Sequence, residues 1–404
     1  MDTSIYCPLG AEQELSAEYS LEVYQSVDAV NPLQWNKVIP EANLLMQHDY
    51  LRMIETLNSS DMQFRYVLVK RNGDVAGAVY FQVVTFHGAQ LINYFPDTQG
   101  KAWKEWLKTI TEKFVNNLNL KLLVSGNVFM TGENGYYFAA DIEETLRARI
   151  VRKAVKQIEA ADKSIRAVLI SDLYEPKTAF DYSFKHHGYN EITVESDMIL
   201  TLRPTWQTRE DYLQDLQSKY RVRTKKVMAL CAENHVTEKE LDLSEIKSNS
   251  PRLNELYGKV MARAGFKLGT LAPDFFEQQK ALMPNQYHLF AYYKNGEIIG
   301  FISIYHIGRR IEVHYMGMDH AVCQPIHLYQ HMMYDMVAYG IEHKVERLHF
   351  GRTAPEIKST IGAAPRAMYG YLKHRNPLFN FFIIKPYTAR LKPKEYVIRS
   401  PFKN

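Results

Sequence analysis

The chain is poor in cysteine. Three occur in 404 residues, Cys7, Cys231 and Cys323. An odd number without Cys-x-x-Cys spacing argues against a disulfide framework or structural zinc and points to a reducing compartment. Long apolar runs are missing too: no stretch of roughly 18 apolar residues could span a bilayer. The opening MDTSIYCPLGAEQELSAEYS has neither a basic start nor an apolar segment, so a cytoplasmic location without a secretory signal is expected. Neither sign of charge is in large excess, and a net charge of +4 does not mark a nucleic-acid binder by itself. Gly-x-Ser-x-Gly, P-loop and dinucleotide fingerprints are absent. His314, Asp319 and His327 match no zinc spacing, so no metal is expected.

What is present suits two domains in length. The strongest patterning lies at 287–373. Tyr287–Tyr293 and Ile298–His306, rich in aromatic and β-branched residues, flank Asn295-Gly296, a strong hairpin-turn signal. Ile311–Met318 reads as a third strand. Leu328, Met332 and Met336, with Tyr329, Met333, Val337 and Ile341, repeat at helical spacing. Arg347–Phe350 reads as a short strand, Ala354–Ile361 as a short helix and Met368–Leu372 as a last strand. That is an α/β order with a crossover helix.

The same order is legible earlier. Strand Ser20–Val27 leads to helices at Asn31-Pro32 and Asp49–Leu57. Phe64–Val69 and Val75–Phe86 flank Asn72-Gly73 as a second hairpin. An amphipathic Lys101–Asn117 follows, then strand Leu120–Met130 and helix Ile142–Ala161. Strand Arg166–Asp172, helix Ala179–His187 ending at Gly188, and strand Tyr189–Leu202 complete the copy. The expected division is 1–203, 204–374 and a basic-aromatic tail, 375–404.

The segment FGRTAPEIKSTIGAAP, with Phe350, Gly351, Lys358, Gly362 and Pro365, resembles a pattern of the GNAT acyltransferases. It is most similar to the branch holding the Fem-type aminoacyl transferases and related acetyltransferase domains. The resemblance implies an α/β (α+β) fold of two tandem GNAT-like domains, each a mixed sheet flanked by helices. It also implies transfer of an acyl group to an amine, with an acyl-CoA as co-substrate. The acetyl-CoA loop Gln/Arg-x-x-Gly-x-Gly/Ala has no counterpart; HAVCQPIHLYQ (320–330) stands there, and the Fem-type branch often lacks the loop as well. The tRNA-dependent Fem-type reaction is the rival, although Asn254–Arg263 and Asp274–Leu282 leave no room for that branch's long helical hairpin. A non-catalytic binding pair is the third reading.

Acyl transfer needs a base for the amine and donors for the oxyanion. Strict alternation on Ile311–Met318 puts Ile311, Val313 and Tyr315 on one face and Glu312 and His314 on the other. Glu312 and His314 are the candidate bases, Tyr315 a candidate substrate contact. The alternative is a solvent-facing pair, with Glu312 bound to Arg309 or Arg310. Arg352 and Lys358 stand at the carboxyl end of the next strand as anion anchors, or as surface partners of Glu356.

For an anionic carrier, the second copy is the better host. Asp141, Glu143 and Glu144 crowd the first turn of the helix in the first copy, whereas the second copy's helix starts among His320, Cys323, Gln324 and His327. His320 and Gln324 are therefore candidate carrier contacts. TREDYLQDLQSKYRVRTKKVMALCAENH (208–235) reads as one helix opened by a capping box. Its Arg221 and Arg223 either meet phosphate or line a solvated face.

In the tail, Leu378, Phe379, Phe381, Phe382, Ile383 and Ile384 precede Lys385, Arg390, Lys392, Lys394, Arg399 and Lys403, with Glu395 as the one acid. Aromatics followed by cations suit an anionic membrane surface. The alternative is an apolar part packed on the domain and a solvated basic end. Expected partners are thus a small-molecule, lipid or cell-envelope acceptor, a membrane surface or tRNA. The sequence leaves the oligomeric state open.

Overall fold

The computed structural model describes residues 18–41, 43–58, 62–87, 119–174, 178–263, 269–390 and 396–403. The expected helix Lys101–Asn117, Cys7 and the tail residues Lys392, Lys394 and Glu395 lie outside these. Among the described residues no helix is long and apolar enough to cross a membrane.

The first half runs β1 (Tyr19–Tyr24), α1 (Pro32–Asn36), α2 (His48–Asn58), β2 (Met62–Arg71), β3 (Asp74–His87), β4 (Asn119–Ser125) and β5 (Tyr136–Phe138). It continues with α3 (Glu144–Ala161), β6 (Ile165–Leu173), α4 (Thr178–Lys185) and β7 (Asn190–Thr201). The second half opens with α5 (Arg209–Asp215), α6 (Ser218–Glu233), β8 (Thr237–Glu240), α7 (Leu243–Ser248), α8 (Ser250–Met261) and α9 (Phe275–Leu282). Then come β9 (Tyr287–Lys294), β10 (Glu297–Ile307), β11 (Arg310–Met318), α10 (His320–Cys323), α11 (Leu328–Glu342), β12 (Arg347–His349), α12 (Pro355–Thr360) and β13 (Ala364–His374). A helical run at 377–390, α13, follows.

Local chemistry accounts for the hairpins. Asn72 and Gly73 have φ of 52° and 89°, Asn295 and Gly296 of 53° and 81°. Two consecutive left-handed residues are what a type I′ turn requires, and Asn-Gly adopts them at least cost. Leu120–Met130 does not continue as one strand: β4 stops at Ser125, and Gly126 (φ 98°) turns the chain into a loop.

Among the described residues the thirteen strands form one sheet, ordered β1-β2-β3-β4-β6-β13-β7-β12-β11-β10-β9-β8, with β5 against β3. The last strands are exchanged. β13 pairs antiparallel with β6 of the first half, β7 pairs antiparallel with β12 of the second, and β7 and β13 pair with each other in between. Each half therefore completes the other's sheet. One face carries a core common to both halves, joining Trp35, Tyr50, Tyr66 and Tyr80 to Leu256, Phe275, Tyr287 and Tyr305. Tyr50 and Tyr305 meet edge to face at 6.4 Å. On the other face each half has its own core, under α3 and α4 in the first and under α6 and α11 in the second.

The expected helix 208–235 is two helices. Its capping box forms between Thr208 and Asp211, but the helix breaks at Leu216–Gln217 because the C-terminal segment competes for that backbone. Leu216 forms a bridge with Phe402, and the Gln217 amide donates to the Pro401 carbonyl at 2.8 Å. Gln217 Nε2 donates to the Ser400 and Phe402 carbonyls at 3.1 and 2.9 Å. Phe402 packs against Trp206 and Tyr212. The packed-apolar part of the alternative is corrected, since Leu378, Phe381 and Phe382 are exposed, whereas Arg399 and Lys403 are exposed as that alternative has it and Phe402 docks the chain between them.

The exchange yields a test. Expressed alone, residues 1–203 leave β6 and β7 without the strand that lies between them, exposing unpaired edges. The fragment is expected to aggregate or associate, and co-expression with 204–404 to recover soluble protein. A monomeric 1–203 fragment with a cooperative thermal transition would show that the exchange is dispensable.

Candidate active site at the seam between the halves

The site starts from a bulge. Between β10 and β11 the register jumps, Ile302 facing Met316 and Ile304 facing Val313, so Ser303 stands opposite both His314 and Tyr315. The Tyr315 amide donates to the Ser303 hydroxyl at 3.1 Å. An extra residue reverses the alternation beyond it. Ile311 and Val313 point into the second half's own core, and so do Met316 and Met318. His314 lies 4.8 Å from the Tyr305 ring, and Tyr315 lies 5.5 Å from Tyr257 and 6.0 Å from Phe275, all in the common core. The expectation that Tyr315 shares a face with Ile311 and Val313 is corrected: Glu312, His314 and Tyr315 share the other one.

β11 and β12 pair over only three positions, ending at Glu312 opposite His349, and then part. A row of buried charge lies where they part. His349 Nδ1 is 2.8 Å from Asp197 and 3.9 Å from Glu312. Asp197, 0% exposed, also accepts from the Tyr174 hydroxyl at 3.0 Å and the Gly351 amide at 3.1 Å. Arg310 reaches Glu312 at 3.2 Å, so that expected ion pair is present. Glu312 belongs to both arrangements.

Burial sets the protonation along this row. It pushes the Glu312 carboxyl up to about 7, against the downward pull of His349 and Arg310. Burial also pulls the His349 imidazole down, but the Asp197 hydrogen bond and the Glu312 charge outweigh it and raise the group above its ordinary value. Asp197 is pushed up by burial and brought below the usual carboxylate range by His349 and Tyr174. The row is a carboxylate, an imidazole whose neighbours favour its charged form, and a second carboxyl poised near neutrality.

His314 is different. Burial drives its pKa down to about 3, and neither ring nitrogen has a well-formed hydrogen bond among the described residues. It is a neutral imidazole at physiological pH and a weak base there, which corrects its pairing with Glu312 as an equal candidate.

Arg352 reaches the same side through an ion pair with Asp172 at the end of β6, which also accepts from the Gly132 amide at 3.3 Å. Its charge bears on the Tyr315 hydroxyl. The Arg366 guanidinium lies 3.9 Å over the Tyr174 ring. Lys358 does not join this group. Helix α12 leads into Ile361 and Ala363, which pack with Phe350 in the second half's own core on the opposite face. The Lys358 ammonium, 3% exposed, donates to the Phe350 and Gly351 carbonyls at 2.5 and 3.2 Å. With two of its donors used on the backbone just past β12, the expected anion anchor Lys358 is an internal brace that reaches the row only through its charge on Asp197.

His320 and Gln324 precede α11 as expected, the first half-buried and the second exposed. Arg223 donates to Gln330 in the first turn of α11 at 3.3 Å, whereas Arg221 is used on the Leu216 carbonyl at 3.2 Å. No acid occupies the first turn of α11, while α3 carries Glu144 in its first turn. Sequence reading missed His349, Asp197, Asp172, Tyr174 and Arg366. Alternation along Arg347–His349 could have found His349 beside Glu312; nothing local could have brought in Asp197 from β7.

Residues 245–359 match the family model described as an acetyltransferase (GNAT) domain. That span of the second half is thus a GNAT-type domain. A solved structure of FemX covers 89% of this chain and 99% of its own, at 13% identity and a TM-score of 0.53. A tandem GNAT protein from the clavulanic acid biosynthesis pathway covers 89% and 99%, at 10% identity and 0.49. L-PGS from Bacillus licheniformis covers 82% and 90%, at 11% identity and 0.46. At these identities the FemX likeness concerns the fold alone. No curated protein matches the sequence.

The row has a stability signature. Glu312 binds its proton more tightly folded than unfolded, so stability falls as pH rises from about 4.5, its ordinary value, to about 7. Glu312→Gln removes that loss. Its melting temperature relative to the parent is expected to be about 2 °C more favourable at pH 8 than at pH 5. Equal differences at both pH values in thermal melts would refute the raised carboxyl.

Proposed function

We propose that the protein is an N-acyltransferase that moves an acyl group from an acyl-CoA to the amino group of a small-molecule, lipid or cell-envelope precursor. The observation that carries this reading is a buried carboxyl with a pKa of about 7, placed where bulged strand β11 parts from β12. A base with a pKa near the working pH is the efficient one for an ammonium that must lose a proton before attack. Glu312 takes that proton. The freed amine adds to the thioester carbonyl, the zwitterionic adduct collapses with cleavage of the C–S bond, and the second proton lost from the nitrogen leaves with the thiolate as the CoA thiol. His349, held as imidazolium by Asp197, keeps positive charge beside the row while Glu312 cycles.

The carrier's phosphates are assigned to the start of α11, whose first turn holds no acid and where Arg223 reaches Gln330, with His320 and Gln324 on the segment before it. The first half supplies the acceptor side through Asp172 and Tyr174, with Arg352 tied across the seam. Neither the acyl group nor the acceptor is singled out by these contacts.

Native mass spectrometry of the purified protein with acetyl-CoA and longer acyl-CoAs, followed by thiol release over a panel of amines, tests the reading. Acyl-CoA binding is expected, and Glu312→Gln should keep it while losing 10²–10⁴-fold in kcat/KM. Co-purifying RNA in place of CoA would favour the tRNA-dependent reaction. Failure to bind either would favour a binding module, and parent-like turnover in Glu312→Gln would remove Glu312 as the base.

A further inference from the structure

The helical run α13 carries its apolar residues on the wrong side for a folded chain. Leu378 is 68% exposed, Phe381 59%, Phe382 65% and Ile383 37%. Phe381 and Phe382 meet edge to face at 5.1 Å, and the Lys385 ammonium lies 5.4 Å over the Phe381 ring. Contiguous apolar exposure of this kind on a soluble fold marks a contact surface.

The patch is held in place from behind. Asn380 accepts from the His374 amide at 2.8 Å and from Asn190 Nδ2 at 3.3 Å, and donates to the Gly188 carbonyl at 2.8 Å. Thr388 is buried on the same inner side. Residues 380–384 widen to a π turn, as suits the missing donor and the ring of Pro386. The outward side chains are therefore presented by a pinned helix.

Charge around the patch has one sign. No Asp or Glu occurs from 367 to 390, while Lys373, Arg375 and Lys385 do. Among acids on neighbouring elements, Glu159 has Lys156, Lys163, Lys373 and Arg375 around it, and Asp181 and Glu191 are both bound by Lys185. Aromatic side chains set among cations match the boundary between acyl chains and anionic headgroups. The site lies elsewhere: from Arg366 to His374 is eight residues of β13, about 26 Å of strand, so contact here leaves the cleft open.

We propose that the outward face of α13 is an interfacial docking surface for a membrane leaflet containing anionic phospholipid. The test uses the full chain and vesicles of phosphatidylcholine, alone or with about a third phosphatidylglycerol, at low salt. Binding is expected to the anionic vesicles only, with at least a threefold loss in about 0.5 M salt. The double variant Phe381→Glu, Phe382→Glu should lose at least tenfold in partitioning, and Leu378→Asp should lose several-fold, both with unchanged thermal transitions because these side chains are exposed. Equal binding to both vesicle types, no binding at low salt, or parent-like binding by the double variant would each overturn the proposal. So would a parent dimer that the double variant turns into a monomer without any vesicle effect, since the patch would then serve a second copy of the chain.

Discussion

The antiparallel pair of β7 and β13 is the constraint on which the rest depends. Each strand ends one half of the chain yet hydrogen-bonds to the other half's penultimate strand, so neither half has a complete sheet without its partner. Backbone groups in a sheet interior must be paired, and leaving them unpaired costs more than most side-chain contacts return. The exchange thereby makes two similar halves into one folding unit. The common aromatic core around Tyr50 and Tyr305 then packs across a seam that the backbone has already closed.

That seam also gathers the buried charged row. Asp197 enters from β7, His349 from β12 and Glu312 from β11, three adjacent strands that are far apart in sequence. A buried carboxylate is tolerated only where hydrogen bonds and opposite charge replace water, and Asp197 has an imidazole, a phenol and a backbone amide. Glu312, at the open end of the row, has weaker compensation and so sits near neutrality. Lys358 shows a different outcome: buried under the sheet, its amine is held by the Phe350 and Gly351 carbonyls just past β12, and it reaches the row only through its charge on Asp197.

The two hairpins, the long helix α11 and the repeated element order are local properties, and they were legible. Asn-Gly turns, apolar spacing and capping residues act within a few positions of where they stand. The misreadings share a cause as well. The face of Tyr315 depends on a bulge opposite Ser303, a matter of pairing with another strand. The break at Leu216–Gln217 depends on residues 400–403 competing for helical backbone almost two hundred positions away.

By itself the sequence determined the α/β class, the doubled order, and the places of Glu312 and Arg352 near strand ends. Tertiary structure alone decided that the last strands trade places, that Asp197 and His349 complete the row, and that the tail's aromatics face outward while Phe402 turns in. The reason is physical. Propensity and periodicity are written in neighbours, whereas strand exchange and the burial that moves a carboxyl to about 7 arise from partners brought together only when the whole sheet closes.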